Sequence, residues 1–338
     1  MSKDVVHTTK NKPALNKRQL SVVQQHQKKQ RIILLTGIIV IACAVILTGY
    51  GVYDSQFKQW GEDILKINNT QLTMKQYVAR ARYILQSQGI TEPRKNTSLA
   101  SLLPQITDAI TDDELMAQAA ATEYQITITD DLVTEQIKKE VLPVSETGET
   151  QTGDFDSLYQ QRLEQYQITD AEYREMTRIK LMETTLVQDH LNTEVPDTAA
   201  QVHVHLITVA SEDDAIEVKQ RLDDGEDFAT VAMEKSTSDA ESGGDLGWYA
   251  HDALSSDFAD VIFDLDVGEV SEPVINSNAT AYYIFKVSEK EDMRPLDENN
   301  LSALRSQYLQ EWLKQRKYSS VIDNRFTSDK YIWVTEHI

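Results

Sequence analysis

Apolar residues follow three different rhythms along this chain. Between residues 32 and 53 they form an unbroken run, IILLTGIIVIACAVILTGYGVY, with no charge over 22 positions. As a helix such a run rises about 33 Å, enough to cross a hydrocarbon core of about 30 Å, so a transmembrane helix is predicted at 32–53. From residue 73 to about residue 191 apolar positions return mostly at helical spacing. Thr73 is placed to cap a helix reaching Tyr83. Thr111 and Glu114 have capping-box spacing, which predicts a helix opening there and running to about Tyr124. Another is expected from Thr129 or Asp130 to Glu140. Thr169 and Glu172 repeat the box before a long helix toward Leu191, with Tyr173, Met176, Ile179 and Leu186 as core positions. The stretch 63–70 reads as a short strand entering an Asn-Asn turn, and the Gly/Ser/Thr/Glu-rich stretch 144–153 as a mobile loop.

The third rhythm starts after Val195-Pro196-Asp197, where proline removes a backbone donor and restricts the residue before it. Residues 202–209 alternate as a strand. Ser211 caps a helix ending at Gly225, and short helices are predicted at 228–235 and 258–265. Residues 269–276 and 281–288 are strand-like, 296–317 are helical again, and the Tyr-Ile-Trp-Val quartet at 331–334 reads as a terminal strand. The expected fold class is α+β, divided into a tail (1–31), a transmembrane helix (32–53), a mainly helical domain (54–198), an α+β domain with a small antiparallel sheet (199–290) and a C-terminal helical segment (291–338).

Charge gives the expected membrane helix a direction. Residues 1–31 hold eight basic residues and one acid, leaving 25 basic and 53 acidic residues beyond them, a balance of −28. The positive-inside bias keeps such a tail cytoplasmic and sends the body out, with Tyr50 and Tyr53 at the outer aromatic belt. A cleaved signal peptide, or a lipoprotein signal at Val40-Ile41-Ala42-Cys43, are the alternatives. The long basic region and the apolar residues continuing past Cys43 favour an uncleaved anchor in the cell membrane. So acidic a body repels phosphate, and no nucleic-acid partner is expected. The single cysteine, Cys43, leaves the body no disulfide and no thiolate zinc site. No phosphate-cradling glycine loop or nucleophile elbow occurs.

One ordered set of residues carries more information than these patterns. Phe228-Ala229, then Gly243-Gly244-Asp245-Leu246-Gly247-Trp248-Tyr249, then Gly268-Glu269-Val270-Ser271-Glu272-Pro273-Val274, closed by residues 282–287, resembles a parvulin domain over roughly 201–289. More loosely, the anchor and flanking helices resemble the helical chaperone domain of SurA- and PrsA-type foldases. In such proteins the last helix packs back on the N-terminal ones, a contact that Leu301, Leu304, Tyr308 and Leu313 are placed to make. The resemblance implies a peptidyl-prolyl cis/trans isomerase and chaperone outside the cytoplasmic membrane. Its partners would be unfolded or newly exported polypeptides with Xaa-Pro bonds, and it would need no cofactor.

The resemblance also implies where the site lies. The family's proline pocket maps onto Leu246, Leu254 and Phe258, the last two sharing a face if that stretch is helical. Its polar half commonly has one histidine on the first strand, another on the last, and Cys or Asp between them. His205 is the first candidate, although an ungapped alignment anchored on Val209 puts Leu206 there. Strand parity groups Val202, Val204 and Leu206 on one face and His203 and His205 on the other, so a bulge would be needed to turn His205 inward. The second histidine position is Tyr283, and the Cys/Asp position falls at Ser238 or Asp239. Catalytic candidates are thus His205, Ser238, Asp239 and Tyr283. His203 and His205 share a strand face with no third ligand evident nearby, and no metal is expected. His251 follows the glycine turn and reads as an exposed loop residue. A non-catalytic holdase with a degenerate parvulin domain is the alternative function.

Overall fold

Threonine and asparagine set the first elements. The computed structural model describes residues 41–42, 44–46, 58–90, 99–142, 154–276, 278 and 280–338. Strands β1 (Asp63–Ile67) and β2 (Thr70–Thr73) form an antiparallel hairpin, with Asn68 at φ 54° in its turn, a conformation asparagine tolerates. Thr73 then caps α1 (Met74–Ser87) in a reciprocal box with Gln76. The helices α2 (Leu99–Thr122), α3 (Asp130–Val141), α4 (Phe155–Tyr166) and α5 (Asp170–Asp189) follow. Thr129 caps α3, and Thr169 caps α5 in a second reciprocal box with Glu172. Of the expected transmembrane helix, only 41–42 and 44–46 are described, as exposed helical residues. Among the described residues no helix is long and apolar enough to cross a membrane. The loop expected at 144–153 lies outside them.

Two expectations need correcting. Thr111 opens no helix but sits inside α2, where its hydroxyl donates to the Thr107 carbonyl at 2.7 Å. The apolar stripe already runs through Leu99, Leu103, Ile106 and Ile110, all buried, so the helix passes straight through the box-like spacing. Glu114 accepts two bonds at 3.0 Å from the Arg80 guanidinium instead. Residues 331–334, expected as a strand, belong to α10 (Ser328–His337), capped by Thr327. Their aromatic and β-branched content suits a strand, but the cap and the burial of Trp333 and Val334 against β1, α1 and α2 decide otherwise. The C-terminal strand is instead β7 (Ile322–Asn324), which completes the sheet in the order β2-β1-β7.

The second sheet has the order β4-β3-β6-β5, all antiparallel, from β3 (Thr198–Val209), β4 (Asp245–Ala250), β5 (Val274–Ile275) and β6 (Tyr282–Pro295). On one face α6 (Glu212–Asp223) and α7 (Phe228–Lys235) pack on Ile207, Val209 and Ile284. On the other, α8 (Ala259–Asp264) packs on Val202, Val204, Phe285 and Val287. Only 274–275 of the expected 269–276 strand pairs regularly, with one further bridge at Val270.

The two halves are joined by α9 (Glu298–Ser319). Its Asn300 is buried, donates to the Trp248 carbonyl and accepts from the Ala250 N–H, both at 2.8 Å, so it covers the open edge of β4. Further along, Tyr308, Leu309, Trp312 and Leu313 pack on Met116, Ala119, Leu186 and Leu191 of the helical part. Leu301 and Leu304 are half-buried and lie outside that cluster.

Asp113 on α2 gives this helical part a pH dependence. Burial, reinforced by the Glu183 carboxylate, pushes its pKa up from 3.8 to about 7 against the pull of Lys180 and Arg80. A raised native pKa means that the native state holds the proton more tightly than the unfolded chain. The associated stability is fully present below about pH 4 and is lost as pH rises through about 7. Asp113→Asn is therefore expected to stabilise the protein at pH 8 by about 1–2 kcal/mol, allowing for solvent screening of a half-buried carboxyl. Thermal melts should show that gain shrinking at pH 5; an equal gain at both values would mean that ionisation is not its source.

Candidate functional site

Strand parity decides which side chains meet. Residues opposite one another in an antiparallel pair point to the same face. Leu206 opposes Phe285 and Thr208 opposes Tyr283, while His205 opposes Lys286 and Ile207 opposes Ile284. The first set faces α8; the second faces α6 and α7.

Bulges exist here, but not in β3. Val204 opposes Gly247 and His205 opposes Asp245, so Leu246 is the extra residue on β4. His203 opposes Glu289 and Val204 opposes Val287, so Ser288 is the extra residue on β6. Because the insertions lie in the partner strands, β3 keeps its alternation and His205 stays on the face away from α8. There its Nε2 lies 3.0 Å from the Ser288 hydroxyl, and its ring meets the edge of Phe228 at 6.0 Å. Burial holds its pKa below the ordinary histidine value.

The α8 face carries a half-exposed apolar patch, the candidate cleft. Leu206, Leu246, Leu254, Phe258 and Tyr283 are half-buried around the buried Phe285. The Phe258 ring lies 5.1 Å from Tyr283 and 5.3 Å from Phe285, and Tyr283 stacks parallel to Phe285 at 6.2 Å. The three residues expected to line a proline pocket are thus brought together. Their local structure differs from the expected common helix. Leu254 ends a short 3-10 turn at His251–Ala253, and Phe258 immediately precedes α8.

At one end of the cleft lies a hydroxyl cluster. Ser238 Oγ donates to Thr208 Oγ1 at 2.9 Å, and Ser236 Oγ accepts from the Thr208 N–H at 3.0 Å. Thr208 is buried and opposes Tyr283, which places Ser238 beside the Tyr283 end of the cleft. Thr208 was missed in the sequence, although it shares parity with Leu206. Asp239 acts through its backbone. It takes φ 53°, and its carbonyl accepts from the Gly244 N–H at 3.0 Å and from Ser242 Oγ at 2.9 Å.

His251 is exposed, lies between Asp252 (2.8 Å) and Asp260 (3.0 Å), and has its pKa raised by those two hydrogen bonds. On the far face, the structure supplies what the sequence did not show beside the histidine pair. Asp245 Oδ1 lies 2.8 Å from His203 Nε2, and one ligand-type atom from each of His203, His205 and Asp245 falls within 4.8 Å of the others.

Residues 204–289 match the PPIC-type PPIASE domain, and residues 20–187 match the SurA-like N-terminal domain. The chain carries a parvulin-type PPIase domain beside a SurA-like domain. Among curated proteins it is similar to the foldase protein PrsA of Geobacillus sp. (strain WCH70), with 35% identity over 167 residues, 48% of this chain and 58% of that protein. It is also similar to the foldase protein PrsA of Clostridium kluyveri, 36% identical over 148 residues, 38% of this chain and 43% of that protein. The chain thus spans about half the length of the curated relatives it matches, 58% of one and 43% of the other. Among solved structures, the peptidylprolyl isomerase PrsA of Bacillus anthracis overlays with TM-score 0.38 at 22% identity, covering 66% of this chain and 94% of that one. NmPin, the parvulin of Nitrosopumilus maritimus, overlays with TM-score 0.25 at 30% identity, covering 28% of this chain and all of that one. The matched PPIase segment thus contains Leu206, Leu246, Leu254, Phe258 and Tyr283.

Proposed function

We propose that this chain is a foldase that isomerises Xaa-Pro bonds in unfolded or newly exported polypeptides and holds them on its helical domain. The observation that carries the reading is the half-buried aromatic and aliphatic cluster of Leu246, Leu254, Phe258 and Tyr283 within the PPIase domain. Rotation about a peptide bond meets a barrier of about 18–20 kcal/mol because resonance gives C–N partial double-bond character. No bond need be made or broken. Catalysis requires a grip on the proline ring and surroundings that favour the twisted amide over either planar isomer. An apolar cleft excludes water from the amide, and a hydroxyl cluster at its end offers hydrogen bonds to the flanking chain.

Leu206 and Tyr283 favour a second reading, a holdase that retains the parvulin fold without its usual catalysis. A protease-coupled assay on an Ala-Pro peptide separates the two. Isomerisation faster than the uncatalysed tens to hundreds of seconds supports the enzyme. Suppressed client aggregation with no rate gain on any Xaa-Pro peptide supports the holdase.

The chain is further proposed to be a single-pass protein of the cell membrane, anchored by residues 32–53, with its N-terminus cytoplasmic and its body outside. The charge-free run and the basic residues on one side of it support this. Protease added to intact spheroplasts should digest the body and spare the tail; a protected body would overturn the topology.

A further inference from the structure

We propose that His203, His205 and Asp245 form a site for a divalent transition-metal ion of the zinc class, on the sheet face opposite the cleft. The two histidines project from the same side of β3, with ring centroids 5.1 Å apart. The β4 bulge at Leu246 brings Asp245 directly opposite His205, so two strands contribute ligands. This nitrogen and carboxylate set suits zinc, which takes imidazole at about 2.0–2.1 Å and carboxylate at about 2.0–2.2 Å. Tetrahedral ligands at those lengths lie roughly 3.3 Å apart. The three ligand atoms here already fall within 4.8 Å of one another, so closing the set calls for only short shifts of the ligands.

The surroundings favour a metal over a simple histidine–aspartate hydrogen bond. His203 Nε2 lies 2.8 Å from Asp245 Oδ1, yet its buried Nδ1 has no hydrogen-bond partner among the described residues. Glu289, opposite His203 on β6, holds a carboxylate oxygen 3.9 Å from that Nδ1. With a metal on Nε2, the proton moves to Nδ1 and points at Glu289, the outer carboxylate that orients metal-bound histidines. Trp248 stacks on His203 at 5.3 Å and 19°, and Phe228 borders His205, so both rings are held in place before a metal arrives. Asp245 is exposed and leaves a fourth position open to water. Lys286, the cation opposite His205, directs its ammonium over the Phe228 ring at 5.9 Å. A bound ion would pin β3 to β4 next to the bulge that turns Leu246 toward the cleft.

The test uses the full chain in detergent, stripped with chelator and dialysed against zinc chloride. The expected result is one zinc bound per chain, with affinity lowered at least ten-fold by His203→Ala or His205→Ala and several-fold by Asp245→Asn. His251→Ala should bind as the wild type does, because both its ring nitrogens already face Asp252 and Asp260. Uptake that is not saturable, or that survives in the His203→Ala/His205→Ala double variant, would overturn the proposal. Circular dichroism checks the folding of each variant. Should one fail to fold, cobalt on the wild type decides: an intense tetrahedral d–d band supports the site, and only the pale octahedral band of hydrated cobalt refutes it.

Discussion

Gly244→Ala is expected to abolish cooperative folding of the PPIase domain. Gly244 sits at φ 78°, where an L-residue pays about 1–2 kcal/mol. That cost alone would be tolerable. The larger one is contact: a Cβ at Gly244 would lie 2.3 Å from the Leu206 carbonyl oxygen and 3.3 Å from Ala232 Cβ. The clash is with β3 backbone, which cannot swing away as a side chain can. It also falls where the Leu206 N–H donates to the Gly244 carbonyl at 2.8 Å, the bond that holds the loop after α7 to the cleft strand. Together these place the loss above about 3 kcal/mol, a large share of a small domain's stability. Gly247→Ala provides the comparison. It has φ 85° but meets nothing within 4 Å, so it should lose only the conformational cost. Thermal melts of the two variants, followed by near-UV dichroism, distinguish strain from contact. Equal losses would mean that the approach to Leu206 is not what requires glycine.

How far the sequence disclosed this arrangement depended on the range of the interactions involved. Local signals were legible. The Thr73 and Thr169 caps, the break at Pro196 and the β3 alternation all act within a few residues, and the structure contains each. The grouping of Leu246, Leu254 and Phe258 was reached through family resemblance, since nothing local connects a strand residue to one flanking a helix. Non-local competition was not legible. Thr111 looks like a cap until the buried stripe from Leu99 to Ile110 is known to continue through it. The quartet at 331–334 looks like a strand until a core is present to bury Trp333 and Val334 on one helical face. Register was hidden in the same way. Parity put His203 and His205 together, but only the β4 bulge brings Asp245 opposite His205, and a bulge depends on two strands at once.

Phe258→Ala is expected to lower kcat/KM for Xaa-Pro isomerisation by about 10- to 100-fold, the range expected when an apolar side chain is removed from a substrate pocket. Phe258 closes the cleft against two aromatic rings, Tyr283 at 5.1 Å and Phe285 at 5.3 Å, and is itself half-buried, so part of its face remains for a ligand. Removing a fully buried Phe costs about 3–5 kcal/mol of stability, and a half-buried one less, so rates must be compared at matched folded fraction. Phe258→Leu retains much of the apolar volume and should lie between the variant and the wild type. Tyr283→Phe should cause a smaller loss than Phe258→Ala, because the ring that packs on Phe258 and Phe285 survives and only the hydroxyl is removed. His205→Ala, assayed in chelator, should stay within about two-fold of the wild type, because the β3 alternation points it to the opposite face. If His205→Ala proves as damaging as Phe258→Ala in equally folded samples, substrate must bind on the α6–α7 side of the sheet, and the cleft beneath α8 is packing rather than site.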